Sequence, residues 1–192
     1  MLVFYGTRLL PTPPPHVLTT QLDAAIPLVP VWITVYLLVF VDWFACILEI
    51  LSERRAHALR FTAAYVISML ISGAVFLLFP CTMARPEVPG SDLFSALLRL
   101  IYQIDSPTHL FPSLHVMVTY LCWRGCMGCR KLPKWFPLLQ FGILVCVCLS
   151  ILFVKQHVLA DSPAGILAGE LGMQLSRLLP FRSEKESKER EN

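Results

Sequence analysis

The sequence predicts an all-α, integral-membrane helical bundle with five transmembrane helices, six being the alternative count. Three observations predict it. Hydrophobic residues make up 56% of the 192-residue chain and charged residues only 15%, with a mean hydropathy of +0.64, whereas a soluble domain of this size carries about 25% charged residues. The apolar residues gather in runs close to the ~20 residues that a bilayer crossing needs. Lysine and arginine gather in alternate loops, the pattern that orients membrane proteins.

Five runs are predicted, at residues 26–51, 61–79, 113–123, 136–154 and 158–179. The third is short for a crossing. Residues 1–25 read as an extended lead-in stiffened by Pro11 to Pro15. Met1 to Leu10 is too short an apolar stretch for a cleavable leader, and T-P-P-P follows where small residues would be needed. Residues 26–180 form one membrane-embedded bundle, and 181–192 a charged tail with no apolar face. Seven cysteines fall mostly inside the apolar runs without regular spacing. They read as small hydrophobes, not as a disulfide framework.

Orientation follows from the cations. Arg54, Arg55 and Arg60 follow the first run; Arg124, Arg130, Lys131 and Lys134 follow the third; Arg177, Arg182, Lys185, Lys188 and Arg190 follow the fifth. With five crossings all three groups share one face, expected to be cytoplasmic, so the N-terminus is extracytoplasmic. The net charge of +3 is small, and no nucleic-acid partner is expected.

Three polar motifs fall on the opposite, outer face: A-R-P with Arg85, P-S-L-H with Ser113 and His115, and K-Q-H-V-L-A-D with Lys155, His157 and Asp161. A histidine just inside an apolar run costs free energy unless something uses it. A four-residue spacing on a helix lets the Asp161 carboxylate accept from Nδ1 of His157, which leaves Nε2 as a lone-pair nucleophile. His115 can protonate a leaving oxygen. Ser113 is a natural helix N-cap, and the free amides behind it form an anion seat. Arg85 carries a planar fork suited to phosphate oxygens. Separately each motif has an ordinary structural reading: a hydrogen bond, a cap, a headgroup anchor. Together on one membrane face they point to phosphoryl transfer.

The order R-P, then P-S-x-H, then H-x3-D over neighbouring membrane helices resembles the type 2 phosphatidic acid phosphatase superfamily, across roughly residues 26–179. The resemblance implies a helical bundle that acts on lipid phosphates without a metal or other cofactor. It implies phosphate binding by Arg85 and Ser113, general acid catalysis by His115, nucleophilic attack by His157 and orientation by Asp161. Three departures stand out. Leu78 occupies the position of the family's first-motif lysine, Ile151 that of its third-motif arginine, and Leu114 that of the usual glycine between Ser and His. F-P-S-L-H and K-Q-H look more like the inositol phosphorylceramide synthase branch of phosphotransferases, and Lys155 is expected to supply one missing phosphate-binding charge.

Other patterns carry less. Cys122, Cys126 and Cys129 match an iron–sulfur spacing by accident, since no βα pattern surrounds them. Glu49 is expected to pair with Arg54 or Arg55, and Glu170 with a cation or polar group on another helix; Asp42 has no assigned partner. Asp105 and His109 read as solvated loop residues. Two function classes follow: a lipid phosphatase or phosphotransferase whose partners are a lipid phosphate substrate and membrane lipids, or a non-catalytic relative that binds lipid phosphates. A transporter is disfavoured because the polar residues gather at one face instead of lining a path through the midplane.

Overall fold

The computed structural model describes residues 6–181, so Arg182, Lys185, Lys188, Arg190 and nearly all of the charged tail lie outside the described residues. The described chain is mostly helical, with almost no strand. Its elements are β1 (His16–Val17), α1 (Gln21–Ala25), a 3-10 turn (Pro30–Trp32), α2 (Ile33–Leu51), α3 (Arg55–Leu78), β2 (Cys81–Thr82), α4 (Leu93–Ile104), α5 (Leu114–Cys126), α6 (Phe136–Phe153) and α7 (Asp161–Ser176). Three helical segments are long and apolar enough to cross a membrane: Pro30–Leu51, Arg55–Leu78 and Phe136–Phe153. Only 28%, 39% and 28% of their apolar windows are buried inside the molecule, so most of each faces outward. Leu38, Val41, Phe44 and Leu48 form such an outward stripe on α2, and Leu138, Phe141 and Val145 another on α6. Exposed apolar stripes of this size suit a hydrocarbon surround.

The helices α5 and α7 have a different job. α5 has thirteen residues, nine of them buried, and is the central post of the bundle. α2, α3, α6 and α7 all pack on it. Polar cross-links tie the post in place. Trp43 Nε1 donates to Thr119 Oγ1 at 2.9 Å, and Arg124 pairs with Glu170 at 2.8 Å while Tyr120 donates to the same carboxylate. Glu170 therefore finds both kinds of partner expected for it on another helix, a cation and a polar group. Asp42 receives a partner too, Gln140 Nε2 at 2.7 Å from α6. Inside an apolar bundle such bonds hold register between helices.

α7 approaches its neighbours through glycines. A β-carbon at Gly172 would stand 2.0 Å from Ser68 Oγ and 2.6 Å from the Ala64 carbonyl, and one at Gly165 would stand 2.6 Å from the Ser113 carbonyl. These small residues let α7 settle against α3 and against the start of α5. The cysteines are all unpaired, with Cys46, Cys81, Cys122 and Cys126 buried.

The turns carrying the basic residues collect at one end of the bundle. Glu53 accepts from the backbone N–H of Arg130 at 3.0 Å and Lys131 at 3.4 Å, Lys131 Nζ donates to the Ser52 carbonyl, and Arg60 reaches the Phe181 carbonyl. The acid that meets these loops is Glu53. Glu49 is exposed one turn earlier, and among the described residues it forms no ion pair with Arg54 or Arg55.

The segment between α3 and α5 departs from expectation. It holds the twelve-residue helix α4, capped by Asp92, whose Oδ1 accepts from Phe94 N and Ser95 N at 2.9 and 3.1 Å. α4 packs against α2 and the 3-10 turn, with Leu93, Leu100 and Ile104 outward. His109 is 8% exposed and Asp105 pairs with Arg8 at 2.8 Å, so neither is a freely solvated loop residue. The lead-in is fastened at the same end. β1 pairs with β2, His16 stacks on Phe79 at 4.3 Å, and α1 carries a capping box between Thr20 and Asp23.

Candidate active site

The site lies where α5 and α7 begin and α6 ends. Ser113 caps α5, its Oγ accepting from Val116 N at 3.4 Å. This is the expected cap, and it plants His115 in the first turn. The turn that carries His157 has a different origin from the one its spacing suggested. His157 and Asp161 do not share a helix face: α7 begins at Asp161, and His157 stands in the turn before it. That turn is built on one carbonyl, since Gln156 N and His157 N both donate to the Ile151 oxygen, at 2.9 and 3.1 Å. Lys155 adopts a left-handed φ of 50° to reverse the chain, a conformation that strains a residue with a β-carbon.

The buried Asp161 carboxylate reaches back into this turn. Its Oδ2 accepts from His157 Nδ1 at 2.9 Å and from Val158 N at 3.0 Å. A carboxylate can only accept here, so Nδ1 carries the proton and Nε2 holds the lone pair. Ser113 Oγ lies 3.3 Å from Nε2, and the Ser113 amide donates to the Asp161 carbonyl at 3.2 Å. Three residues from two helix starts are thus locked together: Ser113, His157 and Asp161. His115 completes the group. Its ring centroid lies 5.9 Å from that of His157, edge to face. Tyr36, Phe40 and Trp43 of α2 surround it at 4.4, 5.6 and 5.6 Å, and its Nε2 is buried without a hydrogen-bond partner among the described residues.

His157 stands between two cavities. One, of about 260 Å³, is apolar and aromatic; His115 and Gln156 line it beside His157, together with Tyr36, Phe40 and Trp43. The other, of about 360 Å³, carries the charged residues Arg85, Lys155 and Asp23 beside His157 in an otherwise largely apolar wall. The structure therefore brings all six candidate residues (Arg85, Ser113, His115, Lys155, His157 and Asp161) into one neighbourhood.

Two of the cations are held by the protein itself. Arg85 donates to the Asp105 carbonyl and to Gln156 Oε1, and its guanidinium stacks 4.7 Å over the Tyr102 ring. Burial pulls the guanidinium below its usual pKa, opposed by the charge of Asp105, yet an arginine stays charged through such a shift. Lys155 Nζ donates to the Asp23 carbonyl at 2.6 Å. Burial also lowers the Lys155 ammonium, with the Asp23 charge acting against it. Asp23 in turn accepts from Leu159 N at 2.7 Å. Burial alone would raise its carboxyl, but the Thr20 hydroxyl and the Leu159 amide hold it below the ordinary range. The lead-in thus grips the His157 turn on both sides, through Lys155 and Leu159.

Leu78 and Ile151, the two positions where the resemblance would place cations, are not in either cavity wall. Leu78 is 78% exposed at the end of α3, and the Ile151 side chain is fully buried in the core while only its carbonyl serves the site. Gln156, Asp23 and Tyr102 were not singled out from the sequence. Gln156 carried a usable signal, an amide directly before the candidate nucleophile. The Asp23 contact spans 136 residues, and no local pattern marks it. No family model matches this chain, and no curated protein or solved structure matches it.

Proposed function

We propose that the chain is an integral-membrane, metal-independent phosphohydrolase that removes phosphate from a lipid phosphate or diphosphate. In this reading five helices cross the bilayer, α5 and α7 doing so as short inner helices. The basic end lies in the cytoplasm, and the site and lead-in face outward. The observation that carries the proposal is the Ser113–His157–Asp161 relay with the His115 ring 5.9 Å away.

The chemistry follows from the protonation pattern. Asp161 keeps the proton on Nδ1, so the Nε2 lone pair forms the N–P bond as the ester P–O bond breaks, and His115 gives its proton to the departing oxygen. Asp161 stabilises the imidazolium as it forms. His115, now neutral, takes a proton from water. That water attacks phosphorus, the N–P electron pair returns to His157, and phosphate leaves. Ser113 Oγ–H, released from Nε2, and the first amides of α5 face the phosphate oxygens. Arg85 and Lys155, on the wall of the second cavity, supply positive potential there.

Incubation of the purified protein with phosphate-labelled phosphatidic acid and, separately, with a phosphate-labelled single-chain alkyl phosphate tests the proposal. Release of inorganic phosphate that is lost in His157→Ala supports it; a new labelled lipid in place of free phosphate assigns a phosphotransferase instead. A second reading, a non-catalytic lipid-phosphate binder, is favoured by one observation: the ammonium of Lys155 and the guanidinium of Arg85 are both engaged by protein acceptors. Binding of phosphatidic acid with no turnover in either assay would select it.

A further inference from the structure

The apolar cavity has a shape that the phosphate chemistry does not require. Tyr36, Phe40, Trp43 and Ile47 line it from α2 alone. Their spacing of four, three and four residues draws a stripe down one helix face, about 16 Å long at the rise of an α-helix. Tyr65 and Met69 of α3 form the facing wall, and Ile101 and Ile104 of α4 the side. The two histidines stand at the Tyr36 end, and Ile47 closes the far end. The volume is about 260 Å³. A cavity of about 150 Å³ takes one benzene ring, so this one takes roughly ten carbons.

Two polar groups of that wall are poised to receive an oxygen, and Asp105, Thr108 and His109 also line it. Among the described residues His115 Nε2 is buried without a partner, and so is Nε2 of Gln156, a residue 1% exposed whose Oε1 is occupied by Arg85. A buried amide with an unused donor costs free energy unless a ligand meets it. The side toward α4 is where a longer chain can leave. α4 packs on α2 and the 3-10 turn, and Ile104 is 65% exposed at the cavity edge.

We infer that this slot holds a single apolar chain, its first ten or so carbons laid along the Tyr36–Ile47 stripe and its ester oxygen at His115 and Gln156, so that the substrate is a single-chain phosphate monoester or diphosphate and not a diacyl lipid. The inference rests on the proposed phosphotransfer only for which end of the chain carries the phosphate. A diacyl glycerol backbone brings two chains to one oxygen, and a volume of about 260 Å³ takes only the first ten or so carbons of one.

The test is a chain series on the full-length protein in lipid nanodiscs, joined to a photolabel that does not depend on turnover. Hexyl, decyl and hexadecyl phosphate and dioctanoyl phosphatidic acid are compared by kcat/KM. The four methylenes between hexyl and decyl raise kcat/KM on the order of a hundredfold when fully buried. The gain flattens beyond decyl, and dioctanoyl phosphatidic acid is turned over more slowly than decyl phosphate. Ile47→Trp shortens the slot at the end remote from the histidines and lowers the decyl-to-hexyl ratio at least tenfold. Decyl phosphate carrying a terminal diazirine labels Ile47, Tyr65 or Met69 in both wild type and His157→Ala. A faster reaction with dioctanoyl phosphatidic acid, an unchanged ratio in a folded Ile47→Trp protein, or labelling of the outward Phe44 and Leu48 overturns the slot while leaving the phosphatase reading intact. Internal labelling without turnover of any ester upholds the slot and rejects the phosphatase reading.

Discussion

Gly165→Ala is the substitution that asks most directly whether the Ser113–His157 contact matters. Gly165 sits one turn into α7, where the helix presses on the α5 cap. A β-carbon there would stand 2.6 Å from the Ser113 carbonyl and 3.2 Å from both Met117 N and Val116 Cβ. The carbonyl contact falls roughly 0.8 Å short of ordinary van der Waals distance. Its partners are backbone and a β-branched side chain inside a close-packed post, so neither can swing aside. The two helix starts must separate by most of that distance. Ser113 Oγ is already 3.3 Å from His157 Nε2, and the Ser113 amide 3.2 Å from the Asp161 carbonyl. Both bonds lie at the long end of their range and break on such a shift. Displacement of a reacting group by about 1 Å costs on the order of a hundredfold in rate, and overpacking costs about 1–3 kcal/mol of stability. The assay is kcat for phosphate release together with Tm in the same nanodisc preparation. Gly142→Ala is the control, because a β-carbon at Gly142 meets nothing within 4 Å and carries the same gain in helix propensity. A Gly165→Ala protein with wild-type kcat, whatever its Tm, refutes the claim that this juxtaposition serves the chemistry.

The remaining predictions are shorter. His157→Ala abolishes phosphate release with Tm within a few degrees of wild type, and Asp161→Asn lowers kcat by roughly 10²–10⁴-fold because the imidazolium loses its counter-charge; rapid-quench detection of an acid-labile phosphoprotein, absent in both, checks this. Vanadate raises the Tm of the wild-type protein, and Arg85→Ala removes the rise, as thermal melts with and without the anion will show. Asp23→Asn weakens the grip on the His157 turn and lowers Tm at neutral pH. Because the folded-state pKa of Asp23 lies below its ordinary value of 3.8, the stabilisation is complete above that pH and fades as pH falls through the folded value. The Tm gap between wild type and Asp23→Asn therefore closes below about pH 3.8, and a gap constant with pH would contradict the sign.

The helical bundle was legible because apolar runs report their own length, and α2, α3 and α6 fall where composition places them. The clustering of the candidate residues was legible because they sit at helix boundaries, where local rules are strict. Ser113 is a cap by chemistry, and Asp161 finds His157 at four-residue spacing even though a turn, not a helix, makes the contact. α4 was missed because Pro80–Gly90 reads as loop and its apolar spacing is carried by only twelve residues. The fates of Lys155 and Arg85 were illegible for another reason. Their acceptors include the main-chain carbonyls of Asp23 and Asp105, and every residue owns a carbonyl. Glu49 and Glu53 differ by one helical turn, a smaller interval than the accuracy with which a sequence places a helix end.

The grip of the lead-in on the His157 turn also constrains how the molecule is put together. Asp23 belongs to the early part of the chain, yet Leu159 and Lys155, which it holds, lie between the last two helices. The β1–β2 pairing likewise waits for the end of α3. Residues 16–25 can take up their final position only after every helix hairpin has been laid down, so they act as a latch that closes on a finished bundle. An incompletely assembled chain would present the His157 turn without the Asp23 contacts to Leu159 and Lys155 that hold it in the finished molecule.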